Sequence, residues 1–320
     1  MIVKIDLREL RNPDQATMRS LDDWAGRGVL ADLPFWARGL VSDSTEQELR
    51  VDGLVQRDVV GPSLSWRSVV VPGARDMPAA ELTSETARAY RRLLADVTPA
   101  SIARLWNFIP GINESESDGR DRYMVFNAGR FEAYQSLLGE DAEYPVASGV
   151  GHTGDGLVLH LLHGSIVRKT VGNPRQIPPE RYSPAFGPLP PAFCRAAIVD
   201  IQNASSPWFF MSGTASVRGE ASFHLEDVDS QLHETVVNLQ ALRDVAIAEH
   251  DVRFDFHSDV EWLVYVADRA WVGKVRSGLA SALGVPEERI QSRVQKLCRP
   301  ELMLEVEGGF PLSNDQGGHG

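Results

Sequence analysis

Glu301-Leu-Met-Leu-Glu-Val-Glu307 is the stretch on which the fold turns. Its side chains alternate, so as a strand it shows Glu301, Glu305 and Glu307 on one face and Leu302, Leu304 and Val306 on the other. An apolar strand face must be covered by another layer. Upstream lie candidates for that layer: a strand over 289–297, a helix over 269–283 closed by Gly284, and a strand over 261–266. Before them, Leu232, Val236, Leu239, Leu242, Val245 and Ala246 recur on one side of a helix spanning about 227–249. Two further strands are expected at 208–217 and 194–203. Strands and helices in this order predict an α+β fold, a mixed sheet with helices packed on one face.

The first half repeats a similar order more faintly. A strand is expected at 1–7, and a hairpin at 51–60 and 65–72, where β-branched runs flank Gly61-Pro62. Leu82-Thr-Ser-Glu85 offers a helix start, followed by Ala87, Tyr90, Leu93 and Leu94 at helical spacing. A strand at 104–110, a helix at 121–139 (Phe126, Arg130, Phe131, Tyr134 and Leu138 near one face) and a strand at 156–163 complete it. The similar order permits two related subdomains, drawn here as 1–193 and 194–320, with a short tail from about 311. The connection at 172–193 contains seven prolines, and long irregular segments are more often functional than idle.

Composition narrows the function. The 320 residues carry a net charge of −12, which argues against nucleic acid as a partner. No apolar run is long enough to span a membrane and no leader is evident at the N-terminus, so a cytoplasmic protein is expected. Two cysteines exclude a disulfide framework and a cysteine zinc site.

Several residues invite chemistry. Gly149-Val-Gly-His-Thr-Gly154 has the letters of a dinucleotide fingerprint, but a strand rather than a helix follows it, so it reads as structure. His152, His160 and His163 lack a matching carboxylate, and on a strand His160 and His163 point to opposite faces; no metal is expected. Cys194 and Cys298 are each either a nucleophile or a buried, inert thiol. The glutamates at 301, 305 and 307 form the solvent face of an edge strand, or else include a carboxylic acid held in a desolvated cleft with a raised pKa. Arg130, Arg175, Arg195 and Arg299 stand alone in low-charge stretches. Each either pairs with an internal carboxylate or contributes a bidentate fork to a small dianion.

Five motifs in order resemble the chorismatase family from about residue 100 to 310. They are Arg104-Leu-Trp-Asn-Phe-Ile-Pro-Gly-Ile-Asn113, Arg122-Tyr-Met-Val-Phe-Asn-Ala-Gly-Arg130, Asn173-Pro-Arg-Gln176, Ser212-Gly-Thr-Ala-Ser216 and Cys298-Arg-Pro-Glu-Leu-Met-Leu-Glu-Val-Glu-Gly308. The resemblance implies a C-terminal part similar to the YjgF/RidA-type, chorismate mutase-like fold, with a cleft between the subdomains. It implies release of pyruvate from chorismate, in secondary metabolism, with no metal or organic cofactor and the small molecule as partner; a monomer is favoured. It makes Glu305 the acid that protonates the enolpyruvyl methylene. Cys298 and Gly213 occupy positions that distinguish the branch making 3-hydroxybenzoate from the hydrolases. Arg130, Arg175, Tyr182, Gly213 and Thr214 are carried over as substrate-binding.

The sequence also departs from the family. The segment Tyr182-Ser-Pro-Ala-Phe-Gly-Pro-Leu-Pro-Pro191 has Pro184 and Leu189 where arginines are usual and Phe186 where a tyrosine is usual, and Gly219-Glu-Ala-Ser-Phe-His224 replaces a His- and Thr-bearing motif. Losing a carboxylate-clamping Arg costs about 2–4 kcal/mol of binding. The alternatives are therefore an enzyme acting on a modified chorismate, or a YjgF-like protein that binds without turnover.

Overall fold

The computed structural model describes residues 37, 39–41, 45–137, 143–250, 252, 254, 256 and 261–312. The strand expected at 1–7, Leu138 and the tail beyond 312 lie outside the described residues.

The first half runs β1 (Thr45–Val51), β2 (Leu54–Val60), β3 (Leu64–Val71), α1 (Ala79–Leu93), β4 (Ile102–Pro110), α2 (Arg122–Leu137), β5 (Val146–His152) and β6 (Leu157–Gly164). The second runs β7 (Ile166–Val171), β8 (Ala196–Ile201), β9 (Trp208–Thr214), a small hairpin of β10 (Val217–Arg218) and β11 (Ala221–Ser222), α3 (Val228–His250), β12 (Trp262–Val266), α4 (Val272–Leu283), β13 (Ile290–Val294) and β14 (Leu304–Pro311). The sheets order as β1-β2-β3-β6-β4-β5 and, read from the other end, β7-β8-β9-β14-β12-β13. These are one topology used twice. In each, the fourth and fifth strands pair in parallel and the last strand is inserted antiparallel between the third and the fourth. The second sheet already begins at Ile166, upstream of the 193/194 boundary drawn from sequence, because β7 pairs with β8 across the proline-rich connection.

Alternation along the strands builds four layers. On β4, Leu105 and Ile109 face α1 and α2, while Trp106 and Phe108 face inward. On β14, Leu304 and Val306 join the core beneath α3 and α4. A third core, with Trp66, Trp106, Leu162, Val199 and Phe210, lies where the inner faces of the two sheets meet. Each large apolar side chain so buried contributes about 1.5–3 kcal/mol.

Two helix ends differ from one another in instructive ways. Gly284 closes α4 with φ 68°, a left-handed conformation cheap only for glycine, and Val285 N–H bonds back to Ala280 O at 3.0 Å. The start of α1 lies at Ala79, not at Leu82-Thr-Ser-Glu85. Thr83 Oγ1 bonds back to Ala79 O at 2.9 Å and Ser84 Oγ to Glu81 O at 2.9 Å, so both hydroxyls serve carbonyls inside the helix instead of capping it.

Candidate active site

The inner faces part at one end to leave a cleft walled by α2 and β5 of the first half, and by the proline-rich connection, β9 and the approach to β14 of the second. Glu305, Cys298, Arg130, Tyr182 and Gly213 all line it.

β14 is central in its sheet, between β12 and β9, so its carboxylate face looks into the protein rather than into solvent. Glu305 is 4% exposed and Glu307 fully buried. Glu301 parts from them: the strand begins only at Leu304, Leu302 N–H closes a turn on Arg299 O, and Glu301 accepts a bond from Ser222 Oγ at 2.7 Å.

The two buried glutamates sit two residues apart in opposite circumstances. Glu307 is ion-paired with Arg104 Nη2 at 2.9 Å, accepts from Trp106 Nε1 at 2.8 Å, and accepts from Ser148 Oγ. Glu305 has no such cation at hydrogen-bond distance among the described residues. Burial pushes its carboxyl up to about 8, the Glu307 charge adds to the rise, and Arg104 and Arg195 oppose it. A carboxylic acid at neutral pH is the result.

Gly213 is what makes room for it. A Cβ built on Gly213 would lie 1.8 Å from Glu305 Oε1 and 2.5 Å from its Cδ. Any side chain here must displace the carboxyl. Cys298 lies alongside, half-buried among apolar neighbours, and burial with the nearby Glu305 pushes its thiol up to about 12. Cys194 is likewise pushed up to about 12 and donates to Ala196 O at 3.4 Å. Both are therefore protonated thiols near neutrality, unsuited to nucleophilic attack.

Three arginines reach the cleft: Arg130, Arg195 and Arg299. Arg130, buried on α2, donates to Asn127 Oδ1 at 2.7 Å and stacks over Phe126. Arg195 donates to Tyr182 Oη at 2.6 Å and Ile177 O at 3.0 Å. Arg299 donates to Glu220 O at 2.7 Å and Ser222 Oγ at 3.0 Å, with Phe186 stacked 4.0 Å from its guanidinium. None of the three has a carboxylate within salt-bridge distance among the described residues, and the Nε atoms of Arg130 and Arg195 are buried without a hydrogen-bond partner. In a chain of net charge −12, cations left without carboxylates in one cleft suit an anionic ligand.

Arg175 and Thr214 do not come to the cleft. Arg175 bonds Asn238 Oδ1 at 2.8 Å and pairs with Glu234 on α3, which Arg218 also engages. That carboxylate is held down to about 2 by hydrogen bonds from Arg218 and Arg175. Thr214 Oγ1 turns back to Ser212 O at 3.0 Å. Arg195 and Arg299, equal candidates with Arg130 in sequence, replace Arg175 in the geometry. Phe186, one of the departures from the family, also lines the cleft, as do Ser148 and Tyr123, which no sequence pattern marked as facing it.

The remaining candidates are structural. Gly149 and Gly151 lie within β5, and β6 follows, not a helix. His160 accepts or donates at Nδ1 to Ser68 Oγ at 2.7 Å and lies against Trp66 and Phe108; burial lowers it to about 3. No cluster of metal-ligating side chains occurs among the described residues.

Comparison with known proteins speaks to the family and the fold. Residues 64–163 match the family pattern described as chorismatase FkbO/Hyg5-like, N-terminal. A 3-hydroxybenzoate synthase from Streptomyces hygroscopicus is 31% identical over 242 residues, covering 72% of this chain and 70% of its own length. A chorismatase from Streptomyces rapamycinicus is 31% identical over 212 residues, 65% of this chain and 63% of its own. The crystal structure of a chorismatase shares the fold, with a TM-score of 0.70 at 24% identity, over 82% of this chain and 78% of the other. No helix among the described residues is long and apolar enough to cross a membrane.

Proposed function

The chain belongs to the chorismatase family, and on that premise we propose that it converts chorismate to 3-hydroxybenzoate and pyruvate, with Glu305 as the proton donor. The observation that carries this is the state of Glu305: a buried carboxyl, pushed up to about 8, on the wall of a cleft that holds three arginines without carboxylate partners.

Chorismate is a dianion, with a ring carboxylate and an enolpyruvyl carboxylate. Arg130, Arg195 and Arg299 supply the counter-charges, and the Tyr182 and Phe186 rings line the wall against Arg299. Glu305 gives its proton to the enolpyruvyl methylene carbon, whose π electrons form the new C–H bond. The ether becomes an oxocarbenium-like centre, and pyruvate leaves. The bond from the ether oxygen to the ring breaks, that oxygen becoming the pyruvate carbonyl. The neighbouring ring hydroxyl bonds to the vacated carbon as it returns a proton to the Glu305 carboxylate. The resulting epoxide opens at its other carbon and loses the ring proton from the carbon that keeps oxygen, which leaves the hydroxyl at position 3. Substrate and product pair contain the same atoms, so this outcome needs no water, whereas the hydrolytic outcome adds one.

Gly213 and Cys298 bear on that choice. Glycine lets the Glu305 carboxyl occupy the space a methyl would fill. The Cys298 thiol puts a weakly polar group beside the reacting ring, where it orders water poorly. Unaltered chorismate is favoured over a modified analogue because Pro184 is exposed and neither it nor Leu189 lines the cleft.

The test is incubation of the protein with chorismate, without added metal, followed by liquid chromatography with mass detection. Pyruvate with 3-hydroxybenzoate is expected. Pyruvate with a dihydroxycyclohexadiene carboxylate overturns the branch, and no pyruvate overturns the activity.

A further inference from the structure

Behind the acid lies a buried charged cluster that reaches the cleft through Ser148 alone among its members. Glu307 does not line the cleft, yet it is fully buried and meets donors from two strands of the other sheet: Arg104 and Trp106 of β4 and Ser148 of β5. Ser148 Oγ has further links. It accepts from Arg104 Nη2 at 2.8 Å and from Gly213 N–H at 3.0 Å. Arg104 Nη1 also donates to Met211 O on β9. The cluster thus grips β9 at Met211 and at the glycine against which the Glu305 carboxyl rests.

We propose that Glu307 is a positioning residue for the reaction, an obligate anion whose charge keeps its neighbour Glu305 in the acid form and whose bond through Ser148 holds Gly213 in place against that acid. The proposal rests on Glu305 being the proton donor.

Geometry decides which glutamate carries the charge. A buried carboxylate with a guanidinium, an indole N–H and a hydroxyl on its two oxygens is satisfied only when ionised. A second carboxylate on the same strand face, without such donors, meets both burial and a like charge. The groups facing Glu305 from the other elements are few. Arg104 comes from β4 and Arg195 from the approach to β8, and both favour its ionisation. Tyr265 of β12 and Tyr123 of α2 are buried phenols raised above their usual range and hence neutral. Cys298 and Arg299 precede β14; the thiol is neutral, and the guanidinium is turned to Glu220 O and Ser222. Glu307 is therefore the anion that offsets the two arginines. A core ion pair is weak as a source of stability, since apolar replacements often serve as well, so its presence here fits an electrostatic task.

The test is infrared difference spectroscopy of the protonated-carboxyl stretch from pH 5 to 10, on the whole protein and on Glu305→Gln and Glu307→Gln, with kcat and KM for chorismate measured over the same range. In the unaltered protein a band that titrates near 8 is expected, and it must vanish in Glu305→Gln. A band near 8 that persists in Glu305→Gln would mean that Glu307 holds the proton, and would overturn the proposal using a variant that disturbs no ion pair. In Glu307→Gln the midpoint of the Glu305 band, and with it the alkaline limb of kcat, should fall by at least about 1 pH unit, the usual effect of removing an adjacent like charge. An unchanged midpoint with kcat reduced evenly at all pH values would reduce Glu307 to a structural role. If no band titrates near 8 even in the unaltered protein, the acid assignment of Glu305 itself fails, which is a separate result.

Discussion

The two halves of the molecule share one strand order and differ in what their matching strands point inward. The inserted strand of the first half, β6, turns His160 and Leu162 toward the inner core, where the histidine is neutral and bonded to Ser68. The inserted strand of the second half, β14, turns two glutamates inward, one paired with Arg104 across the sheets and one facing open space. The first half also supplies the second with what it lacks: Arg104, Trp106 and Ser148 hold Glu307, and Arg130 lines the same cleft as Glu305. A duplicated fold need not duplicate a site. The first half supplies packing and support, and the cleft opens where the two halves face each other.

That contrast can be broken most forcefully at Glu305. Replacing it with Gln should lower kcat for pyruvate release by about 10³-fold, since the amide has no acidic proton, with little change in melting temperature. Activity near that of the unaltered protein would remove β14 from the chemistry. The same residue should leave a trace in stability. Its carboxyl is raised in the folded state from the ordinary 4.5 to about 8, so its stabilising contribution is complete below pH 4.5 and lost as pH rises through 8. Chemical denaturation at pH 5 and pH 9 should show this loss, on the order of 3 kcal/mol, and Glu305→Gln should not show it.

The first half's contribution and the connection's are separable. Arg130→Met or Arg195→Met should cut kcat/KM by about 100-fold, because each leaves a substrate carboxylate without its counter-charge. Arg175→Met should leave KM unchanged and lower the melting temperature, because it strips a partner from buried Glu234. Gly213→Ala should lower kcat by about tenfold and shift product toward the hydrolysed diene, measured by product ratio, as the methyl pushes the carboxyl aside. Smallest of all, His160→Phe should cost about 1–2 kcal/mol through the lost Ser68 bond and leave kcat within roughly a factor of three. A large loss of turnover there would mean the first half's inserted strand carries chemistry too.

The sequence was most readable where one face is buried and the other is not. The hairpin of β2 and β3, the helix α2, the long helix α3 and α4 with its closing Gly284 fall close to their expected places, because period and cap are local properties. The start of α1 was misplaced, since a Ser or Thr near a helix end bonds forward or backward according to the chain's path. β1 went unread because its Thr-Glu-Gln-Glu-Leu-Arg-Val is polar at nearly every position, as an exposed edge strand allows.

The site divides in the same way. The alternation of Glu301-Leu-Met-Leu-Glu-Val-Glu307 by itself determined that Glu305 and Glu307 share a face, because alternation in a strand is a property of the backbone. Whether that face met water or a cleft, which of the two glutamates kept its proton, and which of four isolated arginines stood near it were decided only by the tertiary structure. Burial and charge pairing join residues up to 203 positions apart, as in Arg104 with Glu307, and no local pattern records such a distance.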